Sequence, residues 1–189
     1  MNVDARGPGA CAPHPPAAGR LVVAVALLDL EPHPHPGSPS HADLPSDVGS
    51  RSDPGSPSGP DGRPATGPRV LAARRQEPSA YAGMWEFPGG KVEPGESEHE
   101  ALARECREEL DVEIEIGPPL GEVDLASPGW VLRVWFGRIT RGRPRLVAHD
   151  ALRWLGAAEL DDVPWMPADG PLVDRLRDVL ASPTPLDWS

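Results

Sequence analysis

Glu105, Glu108 and Glu109 stand at i, i+3 and i+4, so on a helix their carboxylates crowd one face. Like charges at that spacing cost roughly 0.2–0.5 kcal/mol per pair in an exposed helix. A hard divalent cation, which prefers oxygen ligands, turns the same repulsion into a binding site. Taken alone, three glutamates describe a solvated acidic face, so the flanking residues decide. Upstream, Phe87-Pro88-Gly89-Gly90 is a turn signal, because Gly lets backbone approach a ligand closely. Ser97 followed by Glu100 reads as a capping box that opens a helix. From there to Leu110 there is no Gly or Pro, and Ala, Leu, Arg and Glu are good helix formers. Leu102, Cys106 and Leu110 form an apolar stripe that would hold this helix on a core.

The stretch from Trp85 to Val112 resembles the Nudix hydrolase box. That family's pattern is Gly, five residues, Glu, seven residues, Arg-Glu, an apolar residue, any residue, Glu-Glu, any residue, Gly and an apolar residue. Gly90, Glu96, Arg104-Glu105, Cys106, Glu108-Glu109 and Val112 meet that spacing. Asp111 departs from it, standing where the family usually has Gly; Asp tolerates left-handed backbone better than most residues. The preceding Trp85-Glu86-Phe87-Pro88 narrows the resemblance to the MutT-like branch, which hydrolyses nucleoside triphosphates.

The resemblance implies an α/β fold, the α/β/α sandwich in which a mixed β-sheet lies between helices and carries the Nudix loop-helix. It implies Mg2+-dependent attack of water on a nucleoside triphosphate, with Mn2+ able to substitute, releasing a nucleoside monophosphate and pyrophosphate. Glu105, Glu108 and Glu109 are then metal ligands and catalytic residues, with the Gly89 carbonyl completing the shell and Arg104 and Glu96 orienting the carboxylates. Arg75, at the end of a strand, is the family's phosphate-facing arginine, a job its fork of donors suits. Lys91, the chain's only lysine, lies inside the motif and is a further candidate for substrate binding. Phe87, the first strand near Val23 and Val25, and Asp169 fall at base-recognition positions. An ionised carboxylate at Asp169 only accepts hydrogen bonds, which suits bases with amino or imino donors and leaves 8-oxo-dGTP and (d)CTP-type substrates open. Many MutT-like members carry a further Glu just before the position of His149; this chain has Ala148, so His149 or Asp150 substitutes or the helix carboxylates suffice. The expected role is nucleotide-pool sanitation. The alternatives are another nucleoside diphosphate derivative such as ADP-ribose, or a non-catalytic Nudix binding module, although such modules tend to lose box glutamates and all are kept here.

The elements that must position these residues are legible in part. Leu21 to Leu28 is a continuous apolar run, too short for a membrane span and rich in β-branched residues, so it reads as a buried central strand. It should rejoin a second strand, Arg69 to Arg75, as an ordinary hairpin once an intervening low-complexity insert (residues 31–68) is set aside. That insert is rich in Pro, Gly, Ser and His and cannot bury enough apolar surface to order itself. His33, His35 and His41 within it lack a scaffold for a metal. Val112–Ile116 alternates apolar and charged residues, a half-buried strand. Residues 121–125 and 130–139 read as two further strands, with Trp130, Leu132, Val134 and Phe136 on one face and Val131 and Trp135 on the other. Residues 149–169 resemble the C-terminal part of MutT-like enzymes, and Pro171–Leu180 repeats apolar residues at helical spacing.

One domain, over residues 20–182, suits 189 residues, with a disordered tail at 1–19 and a frayed end at 183–189. A net charge of −11 argues against a nucleic-acid polymer or an anionic membrane as partner, but not against a nucleotide whose metal carries positive charge. Cys11 and Cys106 suggest neither a disulfide framework nor a zinc site, and His14 lacks partners. The expected location is cytoplasmic, and oligomeric state stays open, a monomer included.

Overall fold

Strand β1 (Leu21–Asp29) is the axis of the architecture, and its apolar run is explained by being covered on both faces. Leu21, Val23, Val25 and Leu27 pack against Ala101, Leu102, Cys106 and Leu110 of helix α1 (Glu98–Leu110). The alternate residues Ala24, Ala26 and Leu28 belong to a second core with Phe87, Leu132, Val134 and Phe136, and with Leu172, Val173, Leu176 and Leu180 of helix α2 (Gly170–Ala181). Helix, sheet and helix therefore form the expected α/β/α layering. Truncating the fully buried Leu102 to Ala would cost about 2–5 kcal/mol.

This computed structural model describes residues 20–30, 67–76, 81–181 and Trp188. The expected tail, the insert as far as residue 66, the frayed end except Trp188, and with them His14, His33, His35, His41 and Cys11, lie outside the described residues.

On one side β1 pairs in parallel with β6 (Val131–Gly142), from Leu21↔Val131 to Leu27↔Gly137. Strand β6 in turn pairs antiparallel with β5 (Val112–Asp124) at the sheet edge. On its other side β1 meets β2 (Arg69–Arg75) at two rungs only, Leu28↔Val70 and Asp29↔Arg69. The ordinary hairpin of the sequence reading is thus corrected: the strands part, and each takes a different partner. Strand β4 (Gly89–Lys91) pairs with Val22–Ala24 of β1, while β3 (Trp85–Glu86) pairs with Ala73 and Arg74 of β2. Strand β7 (His149–Gly156) runs along the opposite edge of β2.

Two further expectations change. Phe87–Gly90 is not a bare turn: Phe87 and Pro88 link β3 to β4, which Gly89 and Gly90 open, and the link is fastened where the Val25 N–H donates to the Pro88 carbonyl at 2.9 Å. The strands expected at 112–116 and 121–125 are one strand, with register shifts at Glu113/Ile114 and on both sides of Pro119. Pro118 and Pro119 are tolerated because β5 lies at the edge, where a missing N–H forfeits little. The expected distribution of β6 side chains is found: Leu132, Val134 and Phe136 join one core, and Val131 and Trp135 the other.

Candidate active site

Helix α1 starts as its residues dictate. Ser97 Oγ accepts from the Glu100 N–H at 3.2 Å, and Glu100 Oε2 accepts from the Ser97 N–H at 2.8 Å. It ends with Asp111 in the left-handed region (φ 58°, ψ 42°), whose N–H reaches the Arg107 carbonyl at 3.2 Å. Asp therefore holds the conformation for which Gly is favoured at a helix end.

Between these ends the helix lies against β4, where Gly90 leaves room for the helix and Gly89 for the β1 backbone. A Cβ on Gly89 would fall 2.1 Å from the Val23 carbonyl oxygen and 2.5 Å from Ala24 Cα. A Cβ on Gly90 would fall 2.1 Å from Glu105 Oε1. The Gly89 N–H donates to Glu109 Oε2 at 3.2 Å.

Arg104 gathers the remaining carboxylates. Its Nε and Nη2 grip Glu96 at 2.9 and 3.0 Å, and its Nη1 reaches Glu105 at 2.8 Å and Glu108 at 3.2 Å. Nη2 also donates to the Lys91 carbonyl at 3.1 Å. Hydrogen bonds from Arg104 and the Glu93 N–H hold Glu96 below the usual carboxylate range. Glu109 is the opposite case. Burial, with Glu105 and Glu86 adding repulsion, pushes it up to about 7 against the opposing pull of His149 and the Gly89 N–H. The Cys106 thiol is pushed up to about 12, first by burial, so it packs as a small apolar group.

These residues fit a hard divalent cation. Each of Glu105, Glu108 and Glu109 keeps one carboxylate oxygen without a partner among the described residues. The crowded, partly desolvated Glu109 is the kind of donor that a cation relieves. No three acidic, His or Cys side chains among the described residues already converge at ligand spacing. Gly89, Glu105 and Glu109 are brought together, while the Glu108 side chain is 60% exposed at the rim.

A second group lies on β2, β3, β7 and the loop before α2. Arg75 Nη1 donates to Glu86 Oε2 at 2.6 Å, and Glu86 Oε1 lies 3.4 Å from His149 Nε2. Asp169 is 3% exposed and accepts from the Phe87 N–H, and burial and Glu86 raise it well above the usual carboxylate range. Phe87 stacks on Trp165 with ring centroids 5.0 Å apart. The structure thus unites Arg75, Phe87 and Asp169. Val23 is not among them: fully buried, it packs in the core shared with α1, on the face of β1 opposite to Phe87. Lys91 directs its ammonium over the Trp130 ring at 5.3 Å and offers its carbonyl, not its side chain, to Arg104. Asp150 pairs with Arg74 at 2.6 Å.

The sequence reading gave Glu86 and Trp165 no role. Glu86 occupies a two-residue strand with no period to read, and its contacts reach across three strands. Trp165 meets Phe87 only because a bridge beside β3 brings Trp85 and Trp165 together.

Residues 61–176 match the family described as NUDIX domain. The chain is 46% identical over 118 residues to a putative 8-oxo-dGTP diphosphatase 2 of Mycobacterium tuberculosis H37Rv, a match covering 60% of this chain and 83% of that protein. It is 39% identical over 116 residues to the CTP pyrophosphohydrolase of Escherichia coli K12, covering 60% of this chain and 86% of the relative. The solution structure of the E. coli ORF135 protein superposes with a TM-score of 0.56 at 27% identity, covering 88% of this chain and 96% of the other.

Proposed function

The chain belongs to the NUDIX family of hydrolases, and we propose that it is a divalent-cation-dependent pyrophosphohydrolase of nucleoside triphosphates. The reading is that NTP and water give NMP and pyrophosphate, with 8-oxo-dGTP or a (d)CTP-type nucleotide as substrate and nucleotide-pool sanitation as its use. The observation that carries it is the set of helix carboxylates gathered by Arg104 against the Gly89–Gly90 strand, beside an arginine open to solvent.

A bound Mg2+ or Mn2+ supplies neutralisation of the polyphosphate and acidification of a water. Glu105, Glu108, Glu109 and the Gly89 carbonyl would hold it. Arg104 fixes the orientation of Glu105 and Glu108, and Glu96 holds Arg104 in turn, the outer-partner arrangement that typically changes metal affinity or activity about 10–100-fold when removed. Arg75 offers donors to the phosphates. Trp165, half-buried against the core residue Phe87, offers an aromatic face against which a base can rest.

Asp169 is the residue for base choice, and its burial alters the argument made from sequence. With its affinity for a proton raised, Asp169 can present a carboxylic acid, which donates as well as accepts. An acceptor alone suits the cytosine amino group or the guanine N1 and N2 hydrogens; an acceptor beside a donor also suits a base edge that carries a carbonyl. The 8-oxo-dGTP and CTP names of the two relatives support the same pair of substrates.

The test is pyrophosphate release with Mg2+ across 8-oxo-dGTP, dGTP, dCTP, CTP and 5-methyl-dCTP, with Glu105→Gln and Glu109→Gln as controls. Turnover that falls at least about 100-fold in both controls supports the reading, since direct ligands should matter more than the outer partners above. No release from any triphosphate, with ADP-ribose cleaved instead, overturns it.

A further inference from the structure

We propose that His149 and Glu86 form a positioning pair that holds the Arg75 guanidinium ready for the substrate's phosphates. This rests on the reading above that Arg75 meets phosphate.

The register of β2 against β7 is the first observation. Arg74 pairs with Ala151, so an unbroken antiparallel ladder would set Arg75 opposite Asp150; a shift between Arg74 and Arg75 sets it opposite His149 instead. Bulges of this kind re-aim side chains beside functional sites. Here the two arginines separate, Arg74 going to Asp150 and Arg75 to Glu86.

Burial gives the second. The side chains are 5% exposed at His149, 17% at Glu86 and 39% at Arg75, so the chain has a fixed root and an open tip. Glu86 spends one carboxylate oxygen on each neighbour, Oε2 on Arg75 and Oε1 facing His149 Nε2. Nε2 faces Glu86 as the donor, and the buried Nδ1 lacks a partner among the described residues.

The third concerns Arg75 itself. Its Nη1 is committed to Glu86, while its buried Nε has no partner among the described residues. Arginine grips phosphate through paired nitrogens, and this one, tethered by Nη1 with its side chain 39% exposed, is held with its outer end toward solvent and so toward an incoming anion. His149 keeps Glu86 turned toward it.

The rival role for His149 is that of a catalytic base standing in for the carboxylate that Ala148 lacks, and kinetics separate the two. Steady-state KM and kcat would be measured for wild type, Arg75→Ala, His149→Ala, His149→Gln and the His149→Ala/Arg75→Ala double variant. The substrate is whichever of 8-oxo-dGTP, dCTP and CTP is turned over best, and thermal melting checks each fold. The relay predicts that His149→Ala raises KM about tenfold while kcat stays within about threefold, a loss of binding without loss of the chemical step. His149→Gln, whose amide can still donate to Glu86, should restore most of the affinity. The double variant should match Arg75→Ala, because residues acting as one unit are not additive. If His149→Ala does not fold, Glu86→Gln carries the same expectation of raised KM and near-normal kcat. A kcat that collapses at unchanged KM, or fully additive effects in the double variant, overturns the relay. Loss of the earlier reading looks different: Arg75→Ala would then leave KM unaltered, or wild type would turn over no triphosphate.

Discussion

Asp169 shows how one carboxyl group can link recognition to stability. Burial and Glu86 raise its proton affinity, against the pull of the Phe87 N–H and Arg75. A group whose folded pKa lies above its unfolded value, about 3.9 for Asp, contributes stability that is complete below that value. The contribution is lost as pH rises through the folded pKa. Thermal melts from pH 4 upward should therefore show a falling component that Asp169→Asn removes, since an amide has no charge to bury and still accepts from Phe87. The same substitution should shift the preferred base in the triphosphate panel; an unchanged pH profile and an unchanged substrate order would together refute the role of this residue. Asp169 was legible as a position because its sequence neighbours resemble a family segment. Its protonation was not legible, because burial and the nearness of Glu86 arise from tertiary packing. Glu105 and Glu109 divide the same way: spacing alone set them on one face, but the push on Glu109 comes partly from Glu86, on another element.

At the scale of elements, the two adjacent glycines of β4 should fail differently when each is changed to Ala. At Gly89 the added methyl meets β1 backbone, so the strands must part, at a cost of about 1–3 kcal/mol and a lower melting temperature. At Gly90 it meets the end of a flexible side chain, so stability should hold while Glu105 is displaced and kcat falls about 10–100-fold. Equal losses of stability in both variants would sink this distinction. The cap at Asp111 yields a prediction of opposite sign. Its left-handed backbone favours glycine, and its ion pair with Arg145, 3.5 Å long and exposed, contributes little. Asp111→Gly should thus raise stability by about 0.5 kcal/mol in a denaturant titration. Helix α1 and its caps could be read from sequence because contacts at i+3 and i+4 follow from local geometry. The short strands β3 and β4 could not, since two or three residues carry no period and exist only through pairing with β2 and β1. Nor could β5 be seen as one strand, because Pro118–Pro119 looks like a break until its place at the sheet edge is known.

For the molecule as a whole, β1 and β2 meet at Asp29↔Arg69, so the ends of the connection between them already stand side by side. Replacing residues 31–66 by a two-residue turn should preserve the fold and KM, and loop closure alone makes the change worth about 2 kcal/mol. That is a rise in melting temperature of roughly 4–8 °C for a domain of this size. A shortened protein that melts lower, or loses affinity for triphosphate, would show that the connection contributes contacts of its own. The layered architecture could be anticipated through the family resemblance, whereas the partition of β1 and β2 between different partners is a matter of long-range pairing. The seven-rung parallel ladder that joins Leu21–Leu27 to Val131–Gly137 has a consequence for the order of events on the ribosome. The apolar segment LVVAVALL emerges first, and its longest partner emerges more than a hundred residues later. At about 5–20 residues per second, that segment waits several seconds or more with the backbone edge that β6 will cover unpaired. Such a segment, apolar, uncharged and without Pro, is a ready aggregation site. Newborn chains of this protein should therefore depend on a holding chaperone until β6 has been made.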